Sequence, residues 1–373
     1  MPAIARSLFP KRALVAAAML ALAAAQPAAQ SDKKQQDKLD QSQRAEAQAL
    51  VTAVNDTVAG KPAPTALPFK WEQHHFVKAQ AGKTYVPFTI SIAPGTLSTP
   101  GVGLYLRVAR QGAATPTPPP ADAKKEKDED DEGGQPQYAF EDLYLFDLPA
   151  AQEGRPHQVR RAFAVEPGEY DVYLAMKERP AASGGEAAAG SPKSEAAAGS
   201  QKIGVVKQAI SVPDFSAPEL TTSSIITAER VEVLQAPLSN ENQADHPYTF
   251  GQMQIQPALE NKFSKKGELS VIFWIYGAQV DETTKKPDVT IDFKFYQKAA
   301  DKETYFNKTD PQALNAQTLP PQFDLAAGHQ LPGSLAVPLA SFPEGDYRLE
   351  IEIQDKLAGK KVTRDVSFSV LSQ

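Results

Sequence analysis

Apolar and polar residues alternate with a period of two along most of the chain, the spacing of β-strands with one buried face. In "TYVPFTISI", Val86, Phe88, Ile90 and Ile92 fall on one face. In "VGLYLRV" the same holds for Val102, Leu104, Leu106 and Val108, and in "GEYDVYLAMKE" for Tyr170, Val172, Leu174 and Met176. Residues 31–60 read differently. There Ala47, Leu50, Val51, Val54 and Val58 recur at helical spacing, and Gly60 and Pro62 stop the run. This predicts a short amphipathic helix with a polar first half. Its apolar face is expected to dock on the first β domain, with a partner protein as the alternative.

The strand pattern occurs twice. "VEPGEYDVYLAMKER" (165–179) and "FPEGDYRLEIEIQDK" (342–356) share a proline, a Gly-acid-Tyr turn and an alternating strand with Tyr347, Leu349, Ile351 and Ile353 in the inward set. Upstream, "GKTYVPFTISIA" aligns with "GELSVIFWIYGA", placing Val86, Phe88 and Ile90 on Val271, Phe273 and Ile275; "VGLYLRV" aligns with "VTIDFKF". Downstream, "VVKQAISV" corresponds to "KKVTRDVSFSV". About seven short strands per copy predict a mainly β protein of two tandem immunoglobulin-like β-sandwich domains, at 65–214 and 220–373. Pro213 and Pro218 mark the junction. Tyr170 and Tyr347, each just after a glycine turn, match the tyrosine corner of such folds and are expected to be structural. Two low-complexity stretches, 111–137 and 181–201, have nothing to pack and are expected as disordered inserts in the first domain.

The junction "VPDFSAPELTTSSIITAERVEVL", "GELSVIFWIYGA" and the C-terminal "VPLASFPEGDYRLEIEIQDKLAGKKVTRDVSFSV" resemble the C-terminal β-sandwich region of uncharacterised exported acidobacterial proteins, some of which carry von Willebrand factor A-related domains. The A module itself is missing from this chain. The resemblance implies a fold and a location outside the cytoplasm, and brings no catalytic residues with it. "DVSFS" (365–369) matches the metal-site string of that module, but it lies on the outward side of a last strand rather than in a loop of an α/β domain.

Composition adds a compartment. Arg6, Lys11 and Arg12 precede the apolar run "ALVAAAMLALAAA", and Ala23 and Ala25 suit cleavage before Gln26. Residues 1–25 therefore read as a signal peptide of an exported, periplasmic or secreted protein, with an uncleaved anchor as the alternative. No cysteine occurs, so no disulfide supports the cores. Losing the three basic residues takes the formal net charge from −6 to −9, which argues against nucleic acid.

Candidate chemistry is sparse. The chain has none of the zinc-protease, nucleophile-elbow, dinucleotide or phosphate-loop motifs. His74 and His75 are adjacent in an expected strand, point to opposite faces, and are expected at the surface. The acidic run Asp128–Glu132 lies among lysines without calcium-loop spacing. Trp274 and Tyr276 sit out of phase with Val271, Phe273 and Ile275. They form a candidate protein-partner or glycan surface, unless their strand is buried on both faces. The expectation is a non-enzymatic envelope protein, without cofactor or metal, acting as an interaction or scaffold module through a sheet face or an edge strand. Its partner would be an envelope protein; the alternative is a carbohydrate-binding protein.

Overall fold

The computed structural model describes residues 41–112, 138–149, 155–179, 202–299 and 302–372. The leader, residues 31–40 of the expected helix, the acidic run and almost all of both inserts lie outside them. The remainder is mainly β, with one N-terminal helix, α1 (Gln41–Val58), and four sheets in two compact units. The first unit takes in the described residues to Ala217 together with Asn240–Pro247; the second comprises Pro218–Ser239 and Tyr248–Gln373.

In the first unit the longer strands are β1 (Phe69–His74), β2 (Thr84–Ile92), β3 (Gly101–Arg110), β4 (Phe140–Asp147), β5 (His157–Val165), β6 (Gly168–Glu178) and β7 (Ile203–Val212). One sheet places β2 between β1 and β5; the other runs β4-β3-β6-β7, all antiparallel. Their inner faces meet in a core that includes Val86, Phe88, Ile90, Leu104, Leu106, Phe163, Tyr170 and Leu174.

The second unit repeats this plan with β8 (Ile226–Val233), β9 (Met253–Pro257), β10 (Glu268–Tyr276), β11 (Val289–Ala299), β12 (Lys302–Lys308), β13 (Leu331–Pro338), β14 (Gly345–Asp355) and β15 (Lys360–Leu371). One sheet runs β9-β8-β10-β13; the other runs β15-β14-β11-β12, with Lys262–Ser264 added in parallel to β15. The duplication holds in register. Tyr170 lies opposite Arg110 and Ile210, and Tyr347 lies opposite Gln297 and Phe368. Thus β3, β6 and β7 correspond to β11, β14 and β15.

Both tyrosine corners form. Tyr170 Oη donates to the Glu166 carbonyl at 2.9 Å, and Tyr347 Oη donates to the Pro343 carbonyl at 2.7 Å. Each bond spans four residues and closes the turn into the strand. Gly168 (φ 146°) and Gly345 (φ 138°) hold a backbone conformation that a β-carbon would strain. Both tyrosine rings are fully buried.

Helix α1 lies across the outer face of the β4-β3-β6-β7 sheet. Leu50, Ala53 and Val54 are buried against Tyr105, Tyr173, Ala175 and Val205, with Val51 and Val58 half-buried beside them and Ala47 partly exposed at the margin. Two polar contacts fix its register: Asn55 Oδ1 accepts from Arg107 Nη1 at 2.7 Å, and Arg179 Nε pairs with Glu46 at 3.0 Å. At the C-terminus, Gly60 N–H donates to Thr57 O and Lys61 N–H to Asp56 O, the bond pair of a glycine-terminated helix.

Two measurements test these supports. Tyr347→Phe deletes one hydrogen bond from a buried ring and is expected to cost about 1 kcal/mol, read as a lower urea midpoint with unchanged slope. Val54→Asp places a charge against Tyr105 and Tyr173; α1 is expected to detach and become the first site of limited proteolysis, with both sandwiches intact by far-UV circular dichroism.

Candidate functional site

Trp274 and Tyr276 do not form a surface. They are 4% and 6% exposed. The run "VIFWIY" is apolar on both faces, the pattern of a strand covered on both sides. Trp274 packs on Phe250 with ring centroids 4.5 Å apart, and its backbone exchanges hydrogen bonds with Ser223. Tyr276 is paired with Thr221. The candidate partner or glycan platform is therefore core, and alternation over so short a run could not separate two buried faces from one.

The expected surface histidines are also displaced inward. His75 is buried, with its backbone N–H on the Pro87 carbonyl. Burial, and then the neighbouring His74, push its pKa down to about 4. His74 accepts from Trp71 Nε1 at 3.2 Å, and burial lowers its pKa as well. Trp71 itself stacks on Phe88.

Among the described residues, no group of three or more His, Cys, Asp or Glu is placed to hold a metal ion. The residues of "DVSFS" are engaged elsewhere. Asp365 pairs with Arg348, Ser367 accepts from Lys298, and Ser369 donates to Asp346. No described helix is long and apolar enough to cross a membrane.

Several strand edges are closed. On β13 the outward-facing backbone groups belong to Pro332, Ser334, Ala336 and Pro338, because Leu339 N–H in the opposite phase reaches back to Gly267 beside β10. The two prolines have no N–H, and the Ser334 carbonyl accepts from Gln312. The edge of β7 is covered at its start, where Leu67 N–H donates to Ile203 O and Val205 N–H donates to Pro64 O. On β15, Lys262–Ser264 pairs with the end, and Arg364 covers the Thr363 carbonyl.

The outer face of the β15-β14-β11-β12 sheet is polar. Arg348 binds Glu303, Glu350 and Asp365 and lies 4.4 Å over the Tyr296 ring. Lys294 bridges Glu350 and Glu352, and Lys361 joins Glu352. Tyr305 is 54% exposed and meets Tyr296 edge-on, centroids 6.0 Å apart. In the first unit the equivalent face is taken by α1. Tyr105, Tyr173, Ala175 and Val205 there correspond to Asp292, Glu350, Glu352 and Thr363 here, by strand register.

A second feature went unread in the sequence. On β5, Val159, Phe163 and Val165 face the core, and Arg161 shares their phase. Its side chain is 7% exposed, set against Tyr144 and Phe146 and paired with Asp245. Burial lowers the guanidinium pKa and raises that of the Tyr144 hydroxyl. An arginine among "V-R-F-V" core positions was the available signal.

No known protein family matches the chain, and no curated protein matches it in sequence. Likeness is found among solved structures. An immunoglobulin-like protein from Pseudomonas aeruginosa aligns over 40% of this chain and 97% of its own, at 12% identity and a TM-score of 0.19. Both units are two-sheet sandwiches closed by the tyrosine corner of immunoglobulin-like folds. Dimeric latent PorU from Porphyromonas gingivalis aligns over 84% of this chain, at 8% identity and a TM-score of 0.29. Trypsin-activated alpha-2-macroglobulin from Escherichia coli aligns over 82%, at 11% identity and 0.20. The chain spans 22% and 17% of the length of these last two proteins. At such identities the likeness extends to the fold alone. Of the expected resemblance to exported acidobacterial proteins, what stands is distant likeness to immunoglobulin-like bacterial structures.

The buried imidazole has a pH consequence. His75 is neutral in the folded state with a pKa near 4, and it protonates near 6.5 when unfolded. Its contribution to stability is complete above about pH 6.5 and is lost as pH falls towards 4. Melting temperature is expected to drop across that window in the wild type, and to drop less steeply in His75→Gln.

Proposed function

We propose that this protein is an exported, non-catalytic interaction module of the cell envelope, working through its tandem sandwiches. The leader-like N-terminus supports the location. The observation that carries the reading is the exposed outer face of the β15-β14-β11-β12 sheet. Its charges are held in place by one another, so little ordering is required on binding. The edge of β13 and parts of the edges of β7 and β15 are blocked, which limits strand addition there. Positive and negative side chains are interspersed on it, which suits a protein partner of similarly mixed polarity.

A second reading, carbohydrate binding, is favoured by Tyr305 and Tyr296 alone. An exposed tyrosine beside carboxylates and an arginine offers a ring face and hydrogen-bonding groups to a sugar.

The test is crosslinking and capture from the native envelope with the chain beginning at Gln26. Specific recovery of an envelope protein, abolished by Tyr305→Ser combined with Lys361→Glu, is the expected result. Recovery that is indifferent to both substitutions excludes this face. If no protein is recovered, a glycan array with the same variant decides the second reading.

A further inference from the structure

Arg161 is a core-phase cation on β5, and the structure supplies it with a partner from far along the chain. Its guanidinium lies 5.0 Å from the Tyr144 ring centroid and 4.5 Å from that of Phe146. Nη1 donates to the Arg160 carbonyl at 2.8 Å, and Nη2 lies 3.1 Å from Asp245 Oδ1. Nε is buried and has no hydrogen-bond acceptor. Two residues beyond Asp245, the Pro247 carbonyl accepts from Tyr85 Oη at 3.0 Å. Asn240–Pro247 groups with the first unit, although the strands on either side of it, β8 and β9, belong to the second.

The two halves of this contact are unequal. Arg161 is held on β5 with its side chain only 7% exposed, and leaving such a cation unpaired is strongly destabilising. Asp245 sits on a loop, and its side chain is 67% exposed. It engages one guanidinium donor and leaves Nε unused. A carboxylate free to approach in the guanidinium plane would take Nε and Nη2 together, the stronger paired geometry. Asn240–Gln243 is a single helical turn, and His246 N–H donates to the Gln243 carbonyl, so a turn sets the spacing between the carboxylate and the carbonyl that Tyr85 holds.

We propose that Arg161, Tyr144, Phe146 and Tyr85 form a recognition site for a turn-forming peptide carrying a carboxylate two residues before a proline, and that Asp245–Pro247 is its resident, self-blocking occupant. The ligand is an acidic, proline-containing segment of a partner protein, which competes by displacing the loop. The site is independent of the sheet face assigned above, so either can fail without the other.

The probe is a fluorescent synthetic peptide of residues 240–249, measured by anisotropy against the full chain and against a full-chain variant with 240–247 replaced by a Gly-Ser linker. The linker variant is expected to bind the peptide at least about tenfold more tightly than the wild type, a difference of about 1.4 kcal/mol. Changing Asp245 to Asn in the peptide, or Arg161→Gln in the linker variant, should remove that gain. A folded linker variant that does not bind, or that binds the Asn peptide equally well, overturns the proposal. If the linker variant does not fold, hydrogen exchange on full-length Asp245→Asn decides. Faster exchange confined to 240–247 supports the resident-occupant assignment, and unchanged exchange there overturns it.

Discussion

A sheet in a sandwich has two faces, and the opposing sheet can hide only one of them. The other must be polar or must be covered by something else. The two copies in this chain resolve that constraint in opposite ways. In the first, Tyr105, Tyr173, Ala175 and Val205 make the outer face apolar, and α1 covers it. In the second, register-equivalent positions carry Asp292, Glu350, Glu352 and Thr363, and the face stays in water. The placement of the helix on one unit and the polar outer face of the other go with those few differences.

Buried cations are the second organising element. Arg107 is 3% exposed, and its donors reach Tyr105 Oη, Asn55 and Glu141, with Tyr138 stacked 4.1 Å away. It thereby ties α1 to the sheet from below. Lys286 directs its ammonium to the carbonyls of Pro320, Pro321 and Phe323, ordering a long loop of the second unit. Arg161 follows the same rule, with a carboxylate as the partner. Each cation reaches a segment distant in sequence, Arg161 with its Nε left over, so each fixes a tertiary contact that apolar packing alone would leave loose. Asp355, fully buried, does the converse with the amides of Gln279, Leu357 and Ala358.

Closed edges complete the picture. Prolines on β13, the Pro64–Leu67 segment beside β7 and the Lys262–Ser264 addition to β15 remove backbone groups that would otherwise recruit another chain.

Period-two alternation and the repeated Gly-acid-Tyr turn determined, by themselves, that the protein is a duplicated sandwich with two tyrosine corners. Those features are local, because a strand's faces and a turn's glycine are set within a few residues. The face of α1 was legible for the same reason. The fate of each outer surface was not. The phase of Trp274 opposes Phe273 and left open whether it faced water or a second buried side, and the packing of Phe250 and Ser223 decides for burial. Arg161 stood out of pattern, yet its meaning depends on Asp245, 84 positions away. Alternation reports which side of a strand a residue occupies; whether that side meets water is decided by elements that the chain brings from elsewhere.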